Sequence, residues 1–248
     1  MRTLLLFLSI AAIALAAPPK VQLPVVVVML DVNDTMLREV DLAYAGRAGV
    51  QTLQYTPSPG RVARFGLGTN YVRELGNGKV ETALGLRPGM EAFFERLFPL
   101  VADGKVRIVL TSLDDNERTK AIAGQVKVGG KALIDWGVET LHPVDFHESH
   151  GVKDIAMFRR AMRLPSSTKV LLVDDDNRAY YGTGLRDAFM EVPAWSIPIA
   201  DSHFDGLKVP DLDKHSRVFN AVADRVTTMV TLTEMGATCD WSALIQPL

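Results

Sequence analysis

Four groups of side chains in this chain have types and spacings that could do chemistry together. The first is Asp31, followed closely by Asn33, Asp34 and Thr35. The second is Thr111, with Ser112 behind it. The third is Lys153, and the fourth is the acidic run Asp174-Asp175-Asp176-Asn177. They supply a carboxylate, a hydroxyl, a cation and a pair of metal-ligating acids. A carboxylate that attacks phosphorus forms an aspartyl-phosphate. Anion repels anion in that attack, so the phosphoryl oxygens must be neutralised. A hard cation such as Mg²⁺ on oxygen ligands, a lysine and a hydroxyl can share that task.

The elements that position these groups can be read from the apolar runs before them. Val25-Val26-Val27-Val28-Met29-Leu30 is mostly β-branched and reads as a fully buried strand ending at Asp31. Ile108-Val109-Leu110 leads into Thr111, and Val170-Leu171-Leu172-Val173 leads into Asp174. In an open α/β sheet, ligands bind at the carboxyl ends of parallel strands. One Asp after one apolar run is ordinarily a strand followed by an Asx-type turn. Polar ends on three strands make a shared site the better reading.

Between these strands the periodicity predicts helices. Arg87-Pro88-Gly89 opens one, with Pro88 in its first turn and Met90, Phe93, Phe94, Leu97 and Phe98 packed on the sheet. Asp114 is placed to cap a second, running to about Val126. Lys153 opens a third, with Ile155, Phe158 and Met162 on its apolar face, and Val218, Val222, Val226, Met229 and Val230 mark a last one. Residues 36–45 read as a short helix or an irregular flap. Residues 49–86 read as β-hairpins outside the core, with turns at Pro57-Ser58-Pro59-Gly60 and Gly76-Asn77-Gly78. Further short strands are expected at Ala132–Trp136 and Trp195–Ile199. Strands alternating with helices imply a mostly parallel α/β sheet.

Composition sets bounds. The chain has 248 residues, 48% of them hydrophobic, and a net charge of -2. That charge argues against nucleic acid as an obligatory partner, because phosphate backbones demand a basic face. A single cysteine, Cys239, excludes an intrachain disulfide and a cysteine-based metal cluster. The N-terminus differs from the rest: Arg2, an apolar block from Leu4 to Ala14, then Ala14-Leu15-Ala16 and Pro18-Pro19. It reads as a signal peptide over 1–16, giving an exported protein, periplasmic or secreted, with no membrane segment after cleavage.

Taken together, the motifs resemble the haloacid dehalogenase (HAD) superfamily of phosphotransferases. Its first motif, Asp-x-Asp-x-Thr after a buried strand, is matched by Asp31-Val32-Asn33-Asp34-Thr35 except at the third place. The resemblance implies a HAD-like, Rossmann-like sheet with Asp31 as nucleophile and the Asn33 backbone carbonyl helping to hold Mg²⁺. Thr111 matches the hydroxyl motif, Lys153 the lysine motif, and Asp174-Asp175 the acidic, metal-binding motif, with Asp175 the first choice as ligand. Arg87-Pro88-Gly89, Lys153-Asp154-Ile155 and Ile197-Pro198-Ile199 are similar to segments of the small C-terminal-domain phosphatase branch. The expected organisation is one domain over 17–248 with a β-hairpin insertion around 49–86 and no large cap. An open site of that kind suits a bulky phosphorylated substrate, small molecule or phosphoprotein.

Asn33 departs from the family pattern. The usual Asp there protonates the leaving oxygen and later draws a proton from water. An amide transfers no proton at neutral pH, and such help is worth about 10²–10⁴-fold. Three outcomes stay open: a phosphatase restricted to good leaving groups, a substitute acid such as Asp34 or a histidine, or a HAD-fold binding protein that has lost turnover. A calcium-dependent structural protein using Asp174 to Asn177 is a weaker rival, since no closing glutamate follows. His142, His147, Glu148 and His150 read as solvated loop residues rather than a zinc site. Asp115, Asp211 and Asp213 read as caps and surface acids, Arg178 as a surface residue, and Trp136, Trp195 and Trp241 as packing. Gly66-Leu67-Gly68 lacks the setting of a dinucleotide loop.

Overall fold

The structure is a computed structural model, describing residues 24–59, 69–141, 153–176, 180–181, 188–195, 212–237 and 241–244. In chain order the strands and helices are β1 (Val26–Asp31), β2 (Leu37–Val40), β3 (Val50–Tyr55), β4 (Val72–Gly76) and β5 (Lys79–Leu86). Then come α1 (Met90–Ala102), β6 (Val106–Thr111), α2 (Asn116–Gln125), β7 (Lys127–Val128), β8 (Lys131–Ala132) and β9 (Val138–Thr140). They are followed by β10 (Lys153–Asp154), α3 (Ile155–Ala161), β11 (Lys169–Asp174), β12 (Tyr180–Tyr181), β13 (Phe189–Glu191), α4 (Leu212–Glu234) and α5 (Trp241–Leu244).

The central sheet runs β13-β11-β1-β6-β9, every pair parallel. β1 is the middle strand and is buried along its whole length. That is why its residues are apolar without alternation. Its two faces feed two cores. Val26, Val28 and Leu30 join the larger one with Phe93, Phe94 and Leu97 of α1 and Phe219, Val222 and Val226 of α4. Val27 and Met29 join a smaller one with Ile155 and Phe158 of α3. Phe93 holds the larger core together, its ring 5.1 Å from Phe94 and 5.2 Å from Phe219.

Gly89 caps α1 with φ at +88°, and a Cβ there would collide with the Ser216 carbonyl of α4. Only glycine permits both the turn and that approach. Pro88 therefore precedes the helix rather than sitting in its first turn. Phe98 is 36% exposed, edge-on to Trp136 at 5.4 Å, and does not reach the sheet as expected. It lies one turn past Phe94 but beyond the buried stripe.

Several expected elements are corrected. The 36–45 stretch is neither one helix nor an irregular flap: Leu37 to Val40 pair antiparallel with Ala83 to Leu86, and a short 3₁₀ turn follows at Leu42–Tyr44. The 49–86 stretch is antiparallel as expected, yet it is part of the core. β5 pairs β3 along one edge and β4, then β2, along the other. Leu53, Tyr55, Val72, Val80 and Leu84 all enter the larger core. The turn between β4 and β5 has Asn77 and Gly78 both at positive φ, the combination a two-residue hairpin needs. Ala132 to Trp136 contains a short 3₁₀ turn, and the sheet strand lies further on, at Val138–Thr140. The late strand is Phe189–Glu191 rather than Trp195–Ile199. Trp195 is buried in irregular chain, and 196–199 lie outside the described residues. Alternation in so short a segment does not distinguish a strand from a packed loop.

Candidate active site

Three strand ends meet at one level of the sheet. Asp31 is directly opposite Thr111 across β1 and β6, and Leu30 is opposite Val173 across β1 and β11, which puts Asp174 next to Asp31. Side chains alternate along a strand. Asp31 follows Met29, Thr111 follows Val109 and Asp174 follows Leu172, all members of the smaller core. The three polar ends therefore share the α3 face. Asp154 caps α3 by accepting from the Ala156 N–H, and that fixes Lys153 just ahead of the helix.

Lys153 is 2% exposed. Its Nζ donates to Asp31 Oδ1 and, at 2.7 Å, to Asp174 Oδ2. The Thr35 hydroxyl donates to Asp175 Oδ1 at 2.8 Å and accepts from the Asp175 N–H at 3.1 Å. Carboxylate oxygens of Asp31, Asp174 and Asp175 all lie within 4.8 Å of one another. Burial pushes the Asp31 carboxyl up to about 7; Lys153 opposes the rise, and Asp174 and Asp175 add to it. Burial also raises Asp175, against the pull of the Thr35 hydrogen bond. Burial by itself lowers the Lys153 ammonium, but Asp31 and Asp174 outweigh it and raise the group.

One ammonium among three crowded carboxylates leaves negative charge uncompensated. Hard oxygen donors with that surplus fit Mg²⁺. Thr111 adds a polar group that fits such a ligand: it is fully buried, and among the described residues its hydroxyl has no hydrogen-bond partner. An unmade bond of that kind costs about 1–3 kcal/mol. A phosphoryl oxygen would satisfy it.

Asn33 belongs to a different cluster. Its Nδ2 donates to Asp114 Oδ2 at 2.6 Å and more weakly to Ser112 Oγ at 3.4 Å. Its Oδ1 accepts from Arg118 Nη1 at 3.0 Å. Arg118 also donates to Asp114 Oδ2 at 3.1 Å and to the buried Glu39 at 3.2 Å. The helix cap expected of Asp114 is supplied by Asp115, which accepts from the Glu117 N–H. Asp114 turns to Asn33 instead, and the sequence reading missed this. The spacing of Asp114 and Arg118, one helical turn apart, was the available signal.

Arg87 braces the turn from the far side. It is buried, donating from Nη1 to the Thr35 carbonyl at 3.0 Å and from Nη2 to the Pro193 carbonyl at 2.7 Å. Burial lowers its guanidinium to about 10, with Asp175 opposing. Its Nη2 also lies 3.2 Å from His215 Nδ1, so α4 reaches the turn through this arginine. Asp34 adopts φ +57° and lies 3.8 Å from Arg38. His142, His147, Glu148, His150, Asn177, Arg178 and Cys239 fall outside the described residues, as do Gly66 to Gly68.

The parallel sheet with helices on both faces is a Rossmann-like α/β fold, the class expected. No family model matches the chain, and no curated protein does. Among solved structures it is similar to that of Fcp1, an essential RNA polymerase II CTD phosphatase, at 15% identity and a TM-score of 0.45. That match covers 90% of this chain and 52% of the other. A second is the fission yeast RNA polymerase II CTD phosphatase Fcp1 bound to beryllium fluoride, at 15% identity, a TM-score of 0.44, and coverage of 87% and 54%. The chain thus spans about half the length of the structures it matches.

Proposed function

We propose that this protein is a Mg²⁺-dependent phosphatase of the HAD type that works through an aspartyl-phosphate on Asp31. The observation that carries the reading is the convergence of Asp31, Thr111, Lys153, Asp174 and Asp175 at one sheet edge, with Lys153 between two of the acids. Asp31 Oδ2 attacks phosphorus while Lys153 holds Oδ1 and so orients the carboxylate. Lys153 and the Thr111 hydroxyl donate to phosphoryl oxygens as charge builds there. Asp31, Asp174 and Asp175, with the Asn33 backbone carbonyl, would hold Mg²⁺, which neutralises phosphoryl charge when bound. Thr35 orients Asp175, and Arg87 orients Thr35 through its carbonyl.

The substrate proposed is a phosphorylated small molecule or phosphoprotein with a good leaving group. The apolar leader over 1–16 supports an exported site of action, periplasmic or secreted. A second reading, a phosphate-binding protein without turnover, is favoured by one observation: the amide at Asn33 in place of an acid. Hydrolysis of p-nitrophenyl phosphate with Mg²⁺ separates the two. The phosphatase reading expects turnover that Asp31→Asn abolishes. Equal silence of both proteins, with phosphate still bound, establishes the other.

A further inference from the structure

The turn that carries Thr35 is tied to the C-terminal part of the chain through one buried side chain, Arg87. Its Nη1 donates to the Thr35 carbonyl at 3.0 Å, and its Nη2 donates to the Pro193 carbonyl at 2.7 Å. Nη2 also lies 3.2 Å from Nδ1 of His215, in the first turn of α4. A guanidinium has donors and no acceptor, so the histidine nitrogen accepts in this contact. Among the described residues the Arg87 Nε has no hydrogen-bond partner. The plane of the guanidinium is therefore set at Nη1 and Nη2. We propose that His215 is a positioning residue for the metal site: as the second acceptor on Nη2 it fixes Arg87, and through Arg87 the Thr35–Asp175 pair. This inference rests on the metal site of the phosphatase reading above.

The links from α4 to the site are short. Arg87 is 1% exposed, and Thr35 is fully buried. The Thr35 hydroxyl donates to Asp175 Oδ1 and accepts from the Asp175 N–H. A shift of the Thr35 backbone therefore carries with it a carboxylate that would hold Mg²⁺. Without His215 a buried N–H of Arg87 loses its acceptor, and the side chain turns toward another. Outer-shell hydrogen bonds of this kind orient metal ligands, and their loss costs about 10–100-fold in metal affinity.

The His215 ring is itself held. It packs edge-on to the buried Trp195, with centroids 4.9 Å apart and planes at 70°. Trp195 donates from its indole to the Gly85 carbonyl at 3.3 Å and from its backbone N–H to the Asp34 carbonyl. The first turn of α4 thus meets the site turn in two ways, by a hydrogen bond through Arg87 and by ring packing through Trp195. Only the hydrogen bond fixes the direction of the guanidinium fork.

The test separates the acceptor from the ring. His215→Phe keeps a ring beside Trp195 and removes the acceptor. His215→Asn removes the ring and sets a side-chain oxygen near the place of Nδ1. Mg²⁺ binding to the full chain, without substrate, is read by titration calorimetry. His215→Phe should bind Mg²⁺ about 10–100-fold more weakly than wild type, and His215→Asn within about twofold of it. A gap between the two variants below about threefold, or weaker binding by His215→Asn, overturns the proposal and leaves the histidine as packing. His215→Leu and His215→Gln replace any variant that circular dichroism shows unfolded. In an Arg87→Met background the gap should close to within about twofold, because coupled residues are not additive. A gap that persists there means that the histidine acts by another route, and overturns the proposal. A wild type that binds Mg²⁺ but leaves p-nitrophenyl phosphate intact overturns the phosphatase reading and not this role of His215. An active wild type whose variants show no gap overturns this role alone, and a wild type that binds no Mg²⁺ overturns both.

Discussion

At Asp31, three carboxylates crowd a single lysine; at Asn33, two residues on, two carboxylates and an amide surround a single arginine. The first cluster carries a surplus of negative charge and a neighbouring hydroxyl that has no partner among the described residues. The second places the Asn33 amide between two carboxylates and the arginine. Asn33 presents its N–H to Asp114 and its carbonyl to Arg118, so both ends of one amide meet complementary charge. An acid there would add a third carboxylate beside Asp114 and Glu39. The comparison teaches that the first cluster is built to receive something, and the second to hold itself together.

The largest expected effect tests the first cluster. Asp31→Asn should lower aryl phosphatase turnover on the order of 10⁴-fold or more, as loss of a nucleophile does, with the fold kept by circular dichroism. Turnover within tenfold of wild type would remove Asp31 from the chemistry. Next comes the second cluster. Arg118→Met takes one cation away from the buried Glu39 and should cost about 3–5 kcal/mol in urea unfolding. A cost below about 1 kcal/mol would mean that this cluster is not structural.

Thr111→Val sharpens the contrast, because stability and activity should separate. Among the described residues the hydroxyl has no partner, so its removal should be neutral or stabilising by up to about 1 kcal/mol, read by urea melts. Turnover should nonetheless fall by about 10²–10³-fold, the worth of one donor to a developing oxyanion. The smallest effect is a ligand shift. Mg²⁺ at about a hundred times its dissociation constant should add about 2.7 kcal/mol to unfolding free energy. Asp175→Asn should reduce that gain, while Asp114→Asn should leave it in place. The opposite pattern would put the cation in the wrong cluster.

Much of this molecule was legible in the chain. β1, β6 and β11 announced themselves as apolar runs, and α4 as a 3.6-residue pattern, because burial on a defined face leaves a period in the sequence. The parallel sheet followed from their alternation with helices. What escaped were segments whose state depends on a distant partner. Leu37 to Val40 became a strand because β5 was there to pair, and Phe98 packs edge-on against Trp136 with a third of its surface exposed. Asp114 read as a cap, since an acid before a helix usually is one. Its actual partner lies 81 positions away, and no local pattern encodes such a contact.

The sequence by itself determined the residue types at three strand ends and the amide at position 33. Those are chemical facts, fixed once the chain is written. Only the tertiary structure decided that Lys153 bridges Asp31 and Asp174, that the Thr111 hydroxyl is buried, and that Asp114 meets Asn33. The physical reason is range: propensity and periodicity act over a few residues, whereas hydrogen bonds and ion pairs in a core are set by which strands and loops the fold brings within about 3 Å.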